Sequence, residues 1–423
     1  MRPHGLFQGK YAACIYCNHY QNGLECDAMS SGQIADRRSR WAGVGAAVYF
    51  LLTGITFATW ASRVPAIKGG LDLSDGQFAI ALLGLEAGAG SGLQLGALIV
   101  PRTGSREALT TSLAVFTCAL LGLAFAPSLL LLAASLFAFA ALNSVADVAM
   151  NAQGVALQRL LGRPVLSRLH AMHSLGGVLG ARAGALAARL GAAPPQHFLA
   201  CAVAAVVTGL AAQPLLMPSR FDVGEEPSED GSEGGLGRWF GDWSSSIALF
   251  GALAFCFTLA EGAGLNWSTV YVTESLGRTE ALGAVSLGVF LGAVTLGRLV
   301  GDWLVSPFGA VRVFRAGAVV AGVGFGGVLL ADAPAAGLVG LGLLGAGIAI
   351  ALPLAIGAGG NVPGETPATA AARLSTLGYL GSFVGPALVG GLASLSSLPL
   401  ALGLPALLVL ATAFGARALR QAG

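Results

Sequence analysis

Four ionisable side chains, Glu86, Asp147, Arg182 and Glu261, lie deep inside stretches that are otherwise apolar. A charge held in hydrocarbon is costly, so each marks a place where the chain does chemistry or transport. Asp147 is the most informative. Asn143, Asp147 and Asn151 fall at i, i+4 and i+8, stacking an amide, a carboxylate and an amide along one helical face. Such a face cannot meet lipid, where unmet hydrogen bonds cost several kcal/mol, so it must face a bundle interior or a watery cavity. A carboxylate in that position suits reversible protonation; the other role open to it is a structural lock on a neighbouring helix. Counted from the basic ends of their helices, Arg182 and Asp147 are expected at similar depth. Arg182 is then an ion-pair partner for Asp147 or an anchor for an anionic group. Glu86 sits among Gly84, Gly88, Gly90 and Gly92, a sign of tight helix contact. In Glu261-Gly262-x-Gly264-Leu265-Asn266-Trp267 two glycines leave the helix room to unwind, and Glu261, Asn266 and Trp267 join the candidate solute path. Trp60 reads better as an interfacial anchor than as part of that path.

Other combinations lead nowhere. His170 and His173 have no acid or cysteine close by in sequence to complete a metal site, and are expected at the cytoplasmic mouth. Cys14, Cys17, His19 and Cys26 have zinc-ligand spacing, but the preceding residues read better as a leader before Met29. Cys118, Cys201 and Cys256 are scattered in separate apolar stretches and read as small core residues. There is no Walker loop, nucleophile elbow or dinucleotide fingerprint, so no enzyme, catalytic residue, cofactor or metal is expected.

The elements that must carry these residues are helices crossing a bilayer. Of 423 residues 55% are hydrophobic and 10% charged, against about 25% charged in soluble domains. The net charge of +2 carries no signal for nucleic acid. With about 20 apolar residues needed per crossing, spans are expected near 41–61, 77–100, 107–126, 129–152, 170–190 and 198–217. Six more follow near 245–272, 281–304, 312–331, 335–358, 368–392 and 398–418. The second set repeats the first at an offset near 205 positions: Gly96 to Gly104 meets Gly301 to Gly309, and Trp60 meets Trp267. The expected fold is therefore all-α and integral to the membrane, with twelve spans in two pseudo-symmetric six-helix bundles. Its domains are an extension at 1–40, a bundle at 41–217, an acidic linker at 218–243 and a second bundle at 244–423. Fifteen basic residues fall on one side of these spans, against Arg63, Lys68, Arg189 and Arg278 on the other. That bias places both termini and the linker in the cytoplasm of a bacterial inner membrane.

These residues together resemble the major facilitator superfamily. Arg102-Thr103-Gly104-Ser105-Arg106 is similar to the tail of its loop motif between spans two and three, with Pro101 where the family usually has Asp. Gly297-Arg298-x-x-Gly301-Asp302 resembles the equivalent element of the second half, so the resemblance implies a gating role for Arg102, Gly104, Arg106, Arg298 and Asp302. Thr59 to Pro65, Ala146 to Asn151, Ala260 to Gly262 and Gly378 to Pro386 look like the YbjJ-like branch near fucose permease. That side of the family carries an acid four residues before an Asn in span four, and proton coupling is ascribed to it; the resemblance implies the same for Asp147. The family's second acid, in span one, has no counterpart in 41–61, so sugar symport is not implied.

The function expected is a monomeric secondary transporter of a small polar solute, coupled to protons, working by alternating access of the two bundles. Asp147 would titrate, with Asn143, Asn151, Glu86, Arg182, Glu261, Asn266 and Trp267 along the route. An exporter of amphipathic compounds by proton antiport is the alternative, weakened because Gly176-x3-Gly180-Ala181 lacks the antiporter proline. A receptor on the same fold is the third reading, disfavoured by the retained intramembrane acids.

Overall fold

The computed structural model describes residues 31–161, 165–218, 244–329, 333–359, 362 and 367–416. The cysteine-containing start of the chain and linker residues 219–243 lie outside the described residues. Every regular element described is helical. The first half comprises α1 (Ser31–Ser62), a short helix Val64–Gly70, α2 (Asp75–Thr103), α3 (Ser105–Ala124), α4 (Leu129–Leu161), α5 (Leu166–Arg189) and α6 (Pro194–Ala212). The second comprises α7 (Ser245–Val270), α8 (Glu280–Phe308), α9 (Ala310–Val328), α10a (Pro334–Ile348), α10b (Ala351–Gly359), α11 (Pro367–Leu395) and α12 (Leu398–Gly415).

Among the described residues, eleven helices are long and apolar enough to cross a membrane. The sequence led us to expect twelve, and α5 is the one that falls short. Its 24 residues span about 36 Å, ample for a bilayer core. What lowers its hydropathy is Arg168, His170, His173, Arg182 and Arg189. Those side chains are tolerable because α5 packs between α1 and α8, where helices rather than lipid meet much of its surface.

The two halves repeat one another down to backbone detail. Ser74 caps α2 and Thr279 caps α8, each hydroxyl accepting the amide three residues on. Both helices end on a proline in the last turn and a glycine, Gly104 at φ 86° and Gly309 at φ 77°. With ψ near 150° at both, this backbone is open essentially to glycine alone.

Small residues at four-residue spacing set the helix contacts. A Cβ at Gly84, Gly88 or Gly92 of α2 would strike the carbonyls of Ala133, Phe137 and Ala141 on α4. Gly176 and Gly180 of α5 lie as close to Leu51 and Ile55 of α1, and their repeat equivalents Gly381 and Gly385 of α11 to Phe255 and Leu259 of α7. The expectation that Gly262 and Gly264 unwind span seven is not met: α7 is continuous through both. Gly264 instead admits the Phe290 ring, and Gly262 lies close to Ser382 and Pro386. The break falls in span ten, at Ala349–Ile350. There Pro353 has no N–H for the carbonyl four residues back.

Candidate functional site

The linker joins the halves at one end of the molecule; the short helix Val64–Gly70 and the start of α8 mark the far end. Between them, α4 presents three rows of side chains. Phe137, Ala141 and Val148 lie against the glycines of α2, and Met150 meets Thr53 of α1. Asp147 and Asn151 fall in the arc between these rows, facing the other half and opposite the exposed Ala134 and Ala138. Along this arc Ala140 and Ser144 are buried, whereas Val155 is 36% exposed. The space between the halves therefore widens toward the linker end.

A polar chain runs through it. Asn151 Nδ2 donates to the Asp147 carbonyl at 2.8 Å and to Asp147 Oδ1 at 3.2 Å. That orientation leaves Asn151 Oδ1 as acceptor, so the 3.1 Å contact with His170 Nε2 requires the imidazole to donate. Phe50 packs edge-on against His170 at 5.1 Å. His173, one turn further in, meets Thr53 Oγ1 at 3.1 Å. The sequence had set this histidine pair aside as the mouth of the molecule. Both lie near the start of α5, toward the linker end, and their contacts with α4 and α1 follow from the register between helices, for which the sequence carries no local signal.

The second half contributes an ion pair. Arg298 Nη2 donates to Glu261 Oε1 at 3.0 Å, with both side chains partly exposed. The register of α5 on α8, read from Gly177 beside Leu291 and Gly288 beside Ala181, sets Arg298 level with His170. Arg298 is within Coulombic reach of both histidines. Its place in the gating loop, implied by the resemblance, is not what the structure shows: it lies well inside α8, about ten residues from its end. The Asp302 side chain lies outside the described residues. Arg102, exposed, donates to the Leu98 carbonyl of its own helix at 2.7 Å. Arg106 lies half-buried on α3 beyond Gly104.

Glu86 lies on the face of α2 that continues from Ala79, the residue packed against Gly390 of α11. It thus points toward the seam between the halves, half-buried, and has no hydrogen bond or ion pair among the described residues.

Other expected members are not brought together. Arg182 does not reach Asp147. With Asn151 level with His170, Asp147 is level with Ser174, leaving Arg182 about 12 Å further along α5. It stands on an exposed stripe with Leu175, Leu179 and Leu186. Equal depth was inferred by counting from helix ends taken as level, but the start of α5 at Leu166 lies level with Val155, six residues short of the α4 end at Leu161. Asn143 makes no hydrogen bond among the described residues. Asn266 is buried and bonded within α7, to the Gly262 carbonyl at 3.0 Å. Trp267 is fully buried in the seam, edge-on to Phe78 at 5.5 Å, with its Nε1 donating to Pro386 O at 3.2 Å. Trp60 is fully buried too, so it is no interfacial anchor.

The far end carries a clasp that sequence reasoning missed. Lys68, 5% exposed, donates to Glu274 of the other half. Its Nζ also stands 2.9 Å from Asp75 Oδ1, too far off line for a hydrogen bond. Arg63 meets Glu280 at 3.5 Å and donates to the Ala192 carbonyl at 2.8 Å. Burial lowers the Arg63 guanidinium from its ordinary value and Glu280 opposes the shift. Thr269 Oγ1 donates to the Ala61 carbonyl at 3.4 Å. Lys68 and Glu274 stand 206 positions apart, close to the repeat offset, so the offset itself was the available signal.

No family model matches the chain. It is 31% identical over 372 residues to an uncharacterized MFS-type transporter of Yersinia pestis, covering 88% of this chain and 94% of that one. Among solved structures it resembles the nucleoside transporter NupG, with TM-score 0.70 at 13% identity, covering 91% of this chain and 99% of NupG. The E. coli fucose:proton symporter FucP gives TM-score 0.58 at 18% identity, over 89% and 97%.

Proposed function

This chain belongs to the major facilitator superfamily of membrane transporters, and from that premise we propose that it moves a small polar solute by proton-coupled alternating access. The observation that carries the proton reading is Asp147: a carboxylate facing the inter-half space whose described partner is Asn151, with no cation paired to it among the described residues. A carboxylate locked in an ion pair would have no cause to exchange protons; this one is held only by an amide.

The two bundles, 41–217 and 244–423, rock about the seam on the 218–243 linker, with both termini and the linker cytoplasmic in the bacterial inner membrane. The protein acts as a monomer. In the state described the far end is clasped by Lys68–Glu274 and Arg63–Glu280, so solute and proton exchange through the linker end. Opening the far end requires these pairs to part. Asn151 and His170 orient the Asp147 carboxylate, and Arg298, held by Glu261, faces His170 from the other half. A change of charge at Asp147 is thereby felt across the seam.

Asp147→Asn tests this in liposomes. The Asn151 bond to the backbone carbonyl of 147 survives the change, so the variant should fold with a Tm near that of the parent. It should lose accumulation driven by a pH gradient and keep exchange of solute across the membrane. Full gradient-driven accumulation by the variant would sink the proposal.

A further inference from the structure

We infer that the solute carries a protonated amine and that Glu86 is the carboxylate that receives it. This deepens the transport reading above and rests on it.

The inference comes from accounting for the charged groups that face the seam along its length. Glu261 is taken up by Arg298 at 3.0 Å. Asp147 is held by Asn151, and through it by His170. Arg298 is matched, and it stands about 24 Å nearer the linker end than Glu86 by the registers of α2 on α4 and of α4 on α5. Arg373, buried on α11 nearer the linker end, is not free either. Arg182 stands on the leucine stripe away from the seam. What remains is Glu86, with no partner among the described residues. Among the described residues two carboxylates are thus left without a cation, one to carry the proton and one, about 18 Å nearer the far end, to meet the solute.

Glu86 also has room beside it. Gly90, one turn on and on the same side of α2, has open space where a Cβ would point, whereas Gly84, Gly88 and Gly92 press on α4. A carboxylate beside open space can accept from an ammonium group at charge-assisted hydrogen-bond distance. A carboxylate-bearing solute would meet a like charge at Glu86 and, among the described residues, no unpaired cation on the seam beside it. A neutral one would leave Glu86 uncompensated.

The test uses the purified full chain and size-matched triads that differ only in charge: glucosamine, glucose and glucuronate, then a parallel set of linear amines, alcohols and carboxylates. Thermal stabilisation is followed against concentration. We expect saturable stabilisation by amine members, weakened about tenfold or more in Glu86→Gln. Glu86→Asp, which keeps the charge, should retain amine selectivity at reduced affinity, separating a lost contact from a lost fold. Stabilisation by neutral or anionic members that survives Glu86→Gln overturns the inference, and so does the absence of stabilisation by any amine. If amine binding depends on Glu86 while Asp147→Asn still accumulates solute, the proton reading fails and this one stands. If Asp147→Asn uncouples but Glu86→Gln changes nothing, only this one falls.

Discussion

At Asp147, hydrogen-bond direction decides what the neighbouring amides do. Asn151 donates to the carboxylate and receives from His170, whereas Asn143, one turn the other way, makes no bond among the described residues. A hydrogen bond to an ionised carboxylate is worth about 1.5–3 kcal/mol. Asn151→Leu should therefore slow gradient-driven uptake by roughly tenfold or more, and Asn143→Leu should do much less; initial rates in liposomes decide, and equal losses would count against the asymmetry. The i, i+4, i+8 pattern set Asp147 and Asn151 on one helical face, and the two side chains do bond to each other. It did not give His170 or Arg298 as neighbours, because those contacts depend on the register between helices, and nothing local to either segment encodes it. Arg182 was misplaced for the same reason: the ends of α4 and α5 are not level, and that offset supplies about 9 of the roughly 12 Å of displacement.

Helices were far more legible than sites. Apolar length set the limits of most spans to within a few residues, and the 205-position offset paired Gly104 with Gly309; the matching caps at Ser74 and Thr279 share that offset but were not singled out. The break in span ten was not anticipated, since Gly262 and Gly264 drew attention to span seven, where they serve packing. The close contacts of Gly176 and Gly385 are where the elements are most easily broken. At either site a larger side chain meets the carbonyl of the facing helix, which cannot move aside. Gly176→Val or Gly385→Val should lower stability by about 1–3 kcal/mol or more, read as reduced yield of folded protein and a lower Tm. Gly326→Val, whose nearest contact is an ordinary 3.7 Å, is the control expected to cost little.

For the whole molecule, the proposed alternation makes the far-end ion pairs the contacts that must part when that side opens. Removing one member of a buried ion pair costs roughly 3–5 kcal/mol, but Glu274 is 42% exposed, so breaking Lys68–Glu274 costs less than that. Lys68→Glu should repel Glu274 and Asp75 and loosen the closed end, raising labelling of a cysteine placed at Ala61 by a reagent applied from that side. Lys68→Glu combined with Glu274→Lys should restore protection, since the pair across the seam is re-formed with its charges exchanged. If the double variant labels as fast as the single one, the pair does not hold the end closed.

Lys68 and Glu274 meet because they occupy equivalent places in the two repeats, so the contact falls on the molecule's internal twofold axis. Two identical copies of a gene place the same residue on both sides of such an axis. A lysine there would have faced a lysine, and a glutamate a glutamate. The attraction seen now exists only because the copies have diverged to opposite sign at this point. Two identical repeats could not form this bond, whereas Arg63–Glu280 joins non-equivalent positions and needs no such divergence.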